Sequence, residues 1–260
     1  MKFATWNING LRARFDLVKH WLEKRQPDVV ALQETKTEDS SFPVAQFEAL
    51  GYHCYQHGER AWNGVALLSR EKMEVLTVGL PGEETAGARL ITAKLDGLSM
   101  TSVYCPNGKN PEHKDFTAKL SWYDSLGKYW QELTRDYETS VIGGDFNIVP
   151  SARDSWRGQE GDGEMFHTIE ERERLWAFVA LDLHDLYREL NAGTKEFTWW
   201  DYRGGSWEKG EGLRIDMIYG TPKARALTEK VVIDKEYRDR IDDLTPSDHV
   251  PVYMDILMHR

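Results

Sequence analysis

Residues 88–105, ARLITAKLDGLSMTSVYC, hold two apolar runs joined through Asp96-Gly97, a link short enough for a hairpin. Elsewhere the runs are kept apart by stretches of helical length. KFATWNI (2–8) and DVVALQE (28–34) flank LRARFDLVKHWLEKR (11–25), where Leu11, Phe15, Val18 and Leu22 recur at helical spacing. A chain that uses both kinds of connection is neither a pure βαβ barrel nor a simple doubly wound sheet. The pattern predicts a layered α/β protein with mixed sheets. Further strands are predicted at NGVALLS (63–69), TSVIGGDF (139–146), RIDMIY (214–219), KVVID (230–234) and VPVYMDIL (250–257). Two more helices are predicted. Residues 113–136 carry Phe116, Leu120, Tyr123, Leu126, Trp130 and Leu133 on one stripe, and residues 168–183 open with Thr168 three positions before Glu171, a capping-box spacing. With no internal repeat, low-complexity tract or Pro/Gly/Ser linker, residues 1–260 are expected to form a single domain.

A hydrophobic content of 40% supports a large core, and no apolar run is long enough for a membrane helix. The N-terminal MKFATWNING reads as mature protein, without the apolar region of a signal peptide. Cys54 and Cys105 are too few for a disulfide framework and have no zinc-site spacing, so a reducing cytoplasm is expected. Lys plus Arg total 33 and Asp plus Glu 43, a net charge of −10. That balance excludes a general nucleic-acid coat. It leaves room for a nucleic-acid enzyme whose basic residues gather on one face or whose carboxylates hold cations. The ten tryptophans fit a large core as readily as a stacking surface.

The predicted strands end alike. WNING offers Asn7 and Asn9, which a two-residue period would place on one side. LQETK offers Glu34, VYCPNG offers Tyr104 and Asn107, and GDFNIVP offers Asp145 and Asn147. LRIDMIY offers Asp216, and TPSDHVP offers Asp248 beside His249. Any one Asp or Asn after a strand is ordinarily a turn former, and a lone His is ordinarily structural. Asp216, a charge inside an apolar strand, needs a partner. As a set, the residues converge on the end of the sheets where ligands of α/β proteins sit. Asp, Glu and Asn oxygens suit a hard cation such as Mg²⁺ or Mn²⁺. An Asp–His pair suits a positioned acid or base, and Tyr and Asn can donate to a developing anion. The chemistry is metal-assisted attack of water on a phosphate ester.

Taken in order, WNINGLR, LQETK, YCPNG, GDFNI, LRID and SDHVP resemble the exonuclease III-type AP endonucleases of bacterial type, within the endonuclease/exonuclease/phosphatase superfamily. The resemblance runs from Asn7 to Pro251. It implies a four-layer αββα sandwich: two mixed β-sheets face to face, helices outside, and the active site at one end. It also implies roles. Glu34 resembles the main Mg²⁺ carboxylate, and Asp248 and Asn9 fall at accessory metal-side positions. Asp145 resembles the residue that activates or aligns water, with Asn147 and Asn7 positioning it. His249, paired with Asp216, would contact the phosphate, and Tyr104 and Asn107 would hold its oxygens. The implied activity is Mg²⁺-dependent hydrolysis 5′ to abasic sites in duplex DNA and removal of 3′-blocking groups, with 3′→5′ exonuclease action. A monomer at the bacterial nucleoid, without membrane association, is the expected form.

Substrate contacts are expected from loops at this edge. In TWWDYRGGSW (198–207), Trp199, Trp200 and Arg203 can stack on a base or an exposed sugar, although alternation sends one of the two tryptophans into the core. Leu213 stands where some relatives of the family carry Trp. Arg12, Lys36, Asn63 and Lys109 are candidate phosphate contacts. Residues 153–168 read as a long functional loop, in which His167 is expected to narrow the pocket and favour 3′-end trimming. Two other readings compete: a phosphatase or phosphodiesterase acting on a lipid, inositol phosphate or RNA tail, and a binding module without catalysis. The intact set of Glu34, Asp145, Asn147, Asp216, Asp248 and His249 argues against the latter.

Overall fold

The computed structural model describes residues 1–258. Among these the elements run β1 (Lys2–Asn7), α1 (Leu11–Arg25), β2 (Val29–Gln33), α2 (Val44–Ala49), β3 (His53–His57), β4 (Val65–Ser69), β5 (Glu74–Val78), β6 (Leu90–Leu95) and β7 (Leu98–Tyr104). They continue with α3 (Lys114–Asp136), β8 (Ser140–Asp145), α4 (Ile169–Val179), β9 (His184–Asp185), α5 (Leu186–Leu190), β10 (Trp199–Trp200), α6 (Ser206–Lys209), β11 (Gly212–Leu213), β12 (Asp216–Gly220), α7 (Pro222–Leu227), β13 (Thr228–Ile233) and β14 (Val252–Ile256). None of the described helices is long and apolar enough to cross a membrane.

Two six-stranded sheets result, ordered β13-β14-β1-β2-β4-β3 and β5-β6-β7-β8-β12-β9. Each contains one parallel pair, β1 with β2 and β7 with β8, and is otherwise antiparallel. The parallel pairs are those whose strands are separated by the long helices α1 and α3, as a crossover requires. The hairpin at Asp96-Gly97 joins β6 to β7.

Phe3, Ala31, Leu67 and Met254 of the first sheet pack against Ile91, Met100, Val141 and Ile218 of the second. The outer face of the first sheet is covered by Leu17, Val18, Trp21 and Leu22 of α1. That of the second is covered by Trp122, Leu126 and Trp130 of α3 and Leu175 and Phe178 of α4. The layers are therefore helix, sheet, sheet, helix, as the resemblance implied. Burying each such side chain contributes roughly 1.5–3 kcal/mol. Helix α1 stops at Gln26, which adopts a left-handed conformation and donates its N–H to Leu22, while Lys24 and Arg25 lie favourably in its last turn. The capping box forms as its spacing predicts: Thr168 Oγ1 accepts from the Glu171 N–H, and the Glu171 carboxylate accepts from the Thr168 N–H.

No continuous apolar run marks β3 or β5. Both are edge strands, HCYQH and EVLTV, and both stay partly exposed. An edge strand with a solvated face needs no continuous apolar run. The helix predicted over 168–183 ends at Val179, and the chain turns into β9.

Candidate active site

Alternation along the strands aims four polar residues into the space between the sheets. In β1, Phe3 lies in the core between the sheets, whereas Ala4 and Trp6 lie under α1; Asn7 shares the parity of Phe3. In β8, Val141 faces inward and Ile142 outward, so Asp145 faces inward. The same count turns Asp216 inward beside Ile218, and Tyr104 inward with Met100. Gly143 lets the sheets approach beneath this point. A Cβ there would lie 2.9 Å from the Phe3 ring and 3.1 Å from Thr5 Cβ. At Gly144 it would lie 1.9 Å from the Val103 carbonyl oxygen. The two glycines thus serve packing of the chain against itself.

Beyond the strand ends the period of two no longer holds. Asn9 and Asn147 have φ of 46° and 50°. The Asn9 N–H donates to Asn7 Oδ1 (3.0 Å), the Asn147 N–H to Asp145 Oδ1 (2.9 Å) and the Lys109 N–H to Asn107 Oδ1 (3.0 Å). These are Asx turns. Asn7 with Asn9, and Asp145 with Asn147, are brought together by a reversal of the chain, not by a shared strand face. The turn-forming reading of these residues therefore holds, and the turns bring their side chains to one place.

Asn7 is fully buried and links the two sheets. Its amide donates one hydrogen to Glu34 Oε1 (2.8 Å) and the other to Asp145 Oδ2 (2.9 Å). His249 makes the second link, donating from Nδ1 to Asp216 Oδ2 at 2.9 Å, while its Nε2 lies 3.8 Å from Asp145 Oδ2. Thr198 Oγ1 accepts from the Ile215 and Asp216 N–H groups, and Trp6 Nε1 donates to the His249 carbonyl. Asp248 has both oxygens engaged: Oδ1 by Asn9 Nδ2 (2.9 Å) and Oδ2 by Trp199 Nε1 (3.0 Å). Lys36 Nζ reaches Asn9 Oδ1 (2.6 Å) and Glu34 Oε2 (2.9 Å). Asn147 Nδ2 is spent on the Cys105 carbonyl.

The charges order themselves around this cluster. Burial pushes Asp145 up to about 7; the His249 cation pulls against this, while Asp216 and Glu34 add to it. Burial works against charge on His249, but Asp216, Asp248 and Asp145 outweigh it and raise the imidazole to about 10. Asp248 sits below the usual carboxylate range: burial opposes this, and His249 with the hydrogen bonds from Trp199 and Asn9 prevails. Burial, with Glu34 and Asp145 nearby, lifts the Tyr104 hydroxyl well above its ordinary value, so it is a neutral donor. Glu34, Asp145 and His249 each place a ligating atom within 4.8 Å of the others. A protonated imidazole has no lone pair for a cation, which leaves the oxygens of Glu34 and Asp145 as the atoms of this group able to ligate one.

A cleft of about 480 Å³ opens over the cluster. Glu34, Tyr104, Asn107, Asp145, Asn147, Trp199, Asp248, His249 and His167 line it. His167 is 3% exposed and donates from Nδ1 to the Met165 carbonyl (2.7 Å), leaving Nε2 to accept from Ser155 Oγ (2.9 Å). Burial lowers its pKa, so it is a neutral wall. Other candidates lie elsewhere. Trp200 is core, edge-on to Trp207 at 4.7 Å. Arg203 is exposed on a turn capped by Asp201. The Asn63 side chain is held by Glu59, and Lys109 pairs with Asp115 at 2.7 Å. Arg12 lines a neighbouring cavity of about 510 Å³ with Lys36 and Arg60. Sequence reasoning missed Trp156, Arg157, Asp201 and Glu211 as cleft residues. The loop containing Trp156 and Arg157 was legible, but its anchor was not. Asp154, 1% exposed, is held by Arg214 (2.7 Å) and Arg188 (2.6 Å).

A fold of two facing mixed sheets, with carboxylates, an imidazolium and amides gathered at one end, defines a class of phosphoester-cleaving sandwiches. Residues 4–249 match the endonuclease/exonuclease/phosphatase family, and the chain belongs to it. Exodeoxyribonuclease III of Haemophilus influenzae is 35% identical over 97% of this chain and 98% of its own. The 3′ phosphatase NExo from Neisseria, solved bound to product DNA hairpin, superposes with a TM-score of 0.95 at 32% identity, covering 99% of this chain and 100% of that one. An AP endonuclease from Archaeoglobus fulgidus gives 0.93 at 31% identity, with coverages of 98% and 99%.

Proposed function

We propose that this protein is a divalent-metal-dependent DNA-repair phosphodiesterase. It hydrolyses the bond 5′ to abasic sites and removes 3′-blocking groups from duplex DNA, acting as a cytoplasmic monomer at the nucleoid. The observation that carries this reading is the Asn7 bridge, which holds the Glu34 and Asp145 carboxylates together at the floor of the cleft opposite a charged His249. The likeness to exodeoxyribonuclease III and to the DNA-bound 3′ phosphatase supports DNA as the substrate.

The donor set fits a hard divalent cation, with Mg²⁺ as the proposed ion and Mn²⁺ as a substitute: the oxygens of Glu34 and Asp145 converge, and buried Asp145 lacks enough positive charge nearby to stay in its usual range. Asp248 and Asn9 would stand behind it: Trp199 and Asn9 fix the Asp248 carboxylate, and Lys36 joins Asn9 to Glu34. Such an ion, when bound, withdraws charge from the phosphate oxygens. The protein does the rest. Asp145 aligns water and accepts its proton, held in place by the Asn147 N–H and Asn7 Nδ2. His249, oriented by Asp216, donates from Nε2 to a phosphate oxygen. Tyr104 and Asn107 donate from the facing wall. Trp199 flanks the reacting sugar, and His167 limits what fits beside it.

The test uses labelled duplexes carrying an abasic-site analogue, a 3′-phosphate at a nick or a plain recessed end, each with Mg²⁺ and with chelator. Metal-dependent cleavage that Asp145→Asn abolishes is the expected result. No cleavage of any of the three by folded protein would refute the reading. His167→Gly is expected to raise abasic-site cleavage relative to 3′-phosphate removal, and an unchanged ratio would refute the role of His167.

A further inference from the structure

Lys119 is a fully buried lysine on α3 that the proposed mechanism does not use. Its ammonium has three hydrogens and meets three acceptors: the Asn147 carbonyl at 2.6 Å, the Asn107 carbonyl at 3.1 Å and Glu171 Oε1 at 2.5 Å. Glu171 is equally buried, and its second oxygen is committed to Thr168 at the start of α4. Lys119 Nζ also lies 5.1 Å from the Phe166 ring centre. The stem of the lysine supports Gly108, the middle residue of the Asn107–Lys109 turn, at which a Cβ would fall 2.6 Å from Lys119 Cδ. One charge thus reaches two of the turns that form the cleft wall and the loop carrying His167. Burial works to lower the lysine's pKa, while Glu171 opposes it.

A buried ion pair is weak evidence for stability, since apolar replacements of similar volume are often neutral or better. A buried ammonium must satisfy all three hydrogens, and a pair made only for the fold could use any nearby acceptors to do so. Here two of the three hydrogens go to carbonyls of the residues whose side chains face the cleft, and both carbonyls belong to turns with a left-handed residue at Asn147 or Lys109. We propose that Lys119, neutralised by Glu171, is a positioning residue for the phosphoester reaction: it sets the Asn107 and Asn147 turns, and through them the donor wall and Asp145.

This inference rests on the proposed function, and its test separates the two. Lys119→Met with Glu171→Gln removes both charges, keeps similar volumes and retains a capping-box residue at the start of α4. On the nicked 3′-phosphate duplex, with the Mg²⁺ level at which wild type is saturated, kcat is expected to fall about 10²-fold, the cost of a displacement of about 1 Å at a reacting group. KM is expected to stay within about threefold, because the residue does not touch substrate. A merely structural role would lower the melting temperature and leave kcat per folded molecule unchanged, and that result would overturn the proposal. Amide hydrogen exchange provides a readout independent of substrate. Faster exchange at Lys109 and Asn147, with the sheets unchanged, is expected in the double variant. Unaltered protection in both turns would overturn the proposal even if wild type cleaved none of the DNA substrates.

Discussion

At the residue scale, the site depends on hydrogen bonds that are each committed. Asn7 spends both amide hydrogens and its oxygen, and Asp248 both oxygens. Asp145→Asn and His249→Ala are each expected to lower kcat by roughly 10²–10⁴-fold, the range for loss of a positioned acid or base. Rates at saturating substrate decide this, and a variant with near-wild-type turnover would remove that residue from the mechanism. Asp145 also makes metal-free stability depend on pH. A carboxyl raised from 3.8 to about 7 on folding stabilises fully below its unfolded value and loses that contribution as pH rises through 7. His249, raised from 6.5 to about 10, loses its contribution progressively as pH climbs from 6.5 to 10. Between pH 6 and 8 both contributions fall, so the melting temperature of the chelated protein is expected to drop, by about 2–4 °C for each kcal/mol lost. A bound divalent cation is expected to shrink this loss, and a thermal melt equally steep with and without Mg²⁺ would contradict the assignment. The gathering of these residues at one end was legible from their types and their places after strands. Which side chain bonds which was not, because Asn9 and Asn147 leave the strand period for left-handed turns. Trp200 is the tryptophan that alternation sends into the core, and the Asn63 side chain is taken up by Glu59, a partner with no local signal in the sequence.

At the scale of elements, β1 and β8 cross at Gly143, where the sandwich is thin enough for Asn7 to reach Asp145. Gly143→Ala would set a methyl against Phe3 and Thr5. The expected cost is about 1–3 kcal/mol, as for other overpacked cores, together with a loss of turnover larger than that of a surface Gly→Ala control. Chemical denaturation and kcat on the same preparation test both parts; a stable and fully active variant would show that the spacing is not critical. The long helices and central strands were readable because each buries a continuous apolar stripe or run. The edge strands His53–His57 and Glu74–Val78 were not, since a strand with one wet face and one neighbour carries a diluted pattern. The capping box at Thr168 was readable from two residues because its hydrogen bonds are local. The anchor from Asp154 to Arg214 spans distant positions and left no local mark.

For the whole molecule, the net charge of −10 and a DNA substrate are compatible if cations gather beside the cleft. Arg12, Lys36 and Arg60 line the neighbouring cavity, where they outnumber Asp16 and Glu38. DNA binding is expected to weaken about tenfold or more between 50 and 200 mM salt through phosphate neutralisation. A flat titration would point to a small substrate.

The hydrogen bonds from Asn7 to Asp145 and from His249 to Asp216 each join one slab of the sandwich to the other. Neither slab alone brings Asn7 to Asp145 or His249 to Asp216. A chain caught with its sheets formed but apart therefore carries no working blade. Closing the sandwich and completing the site are thus one event.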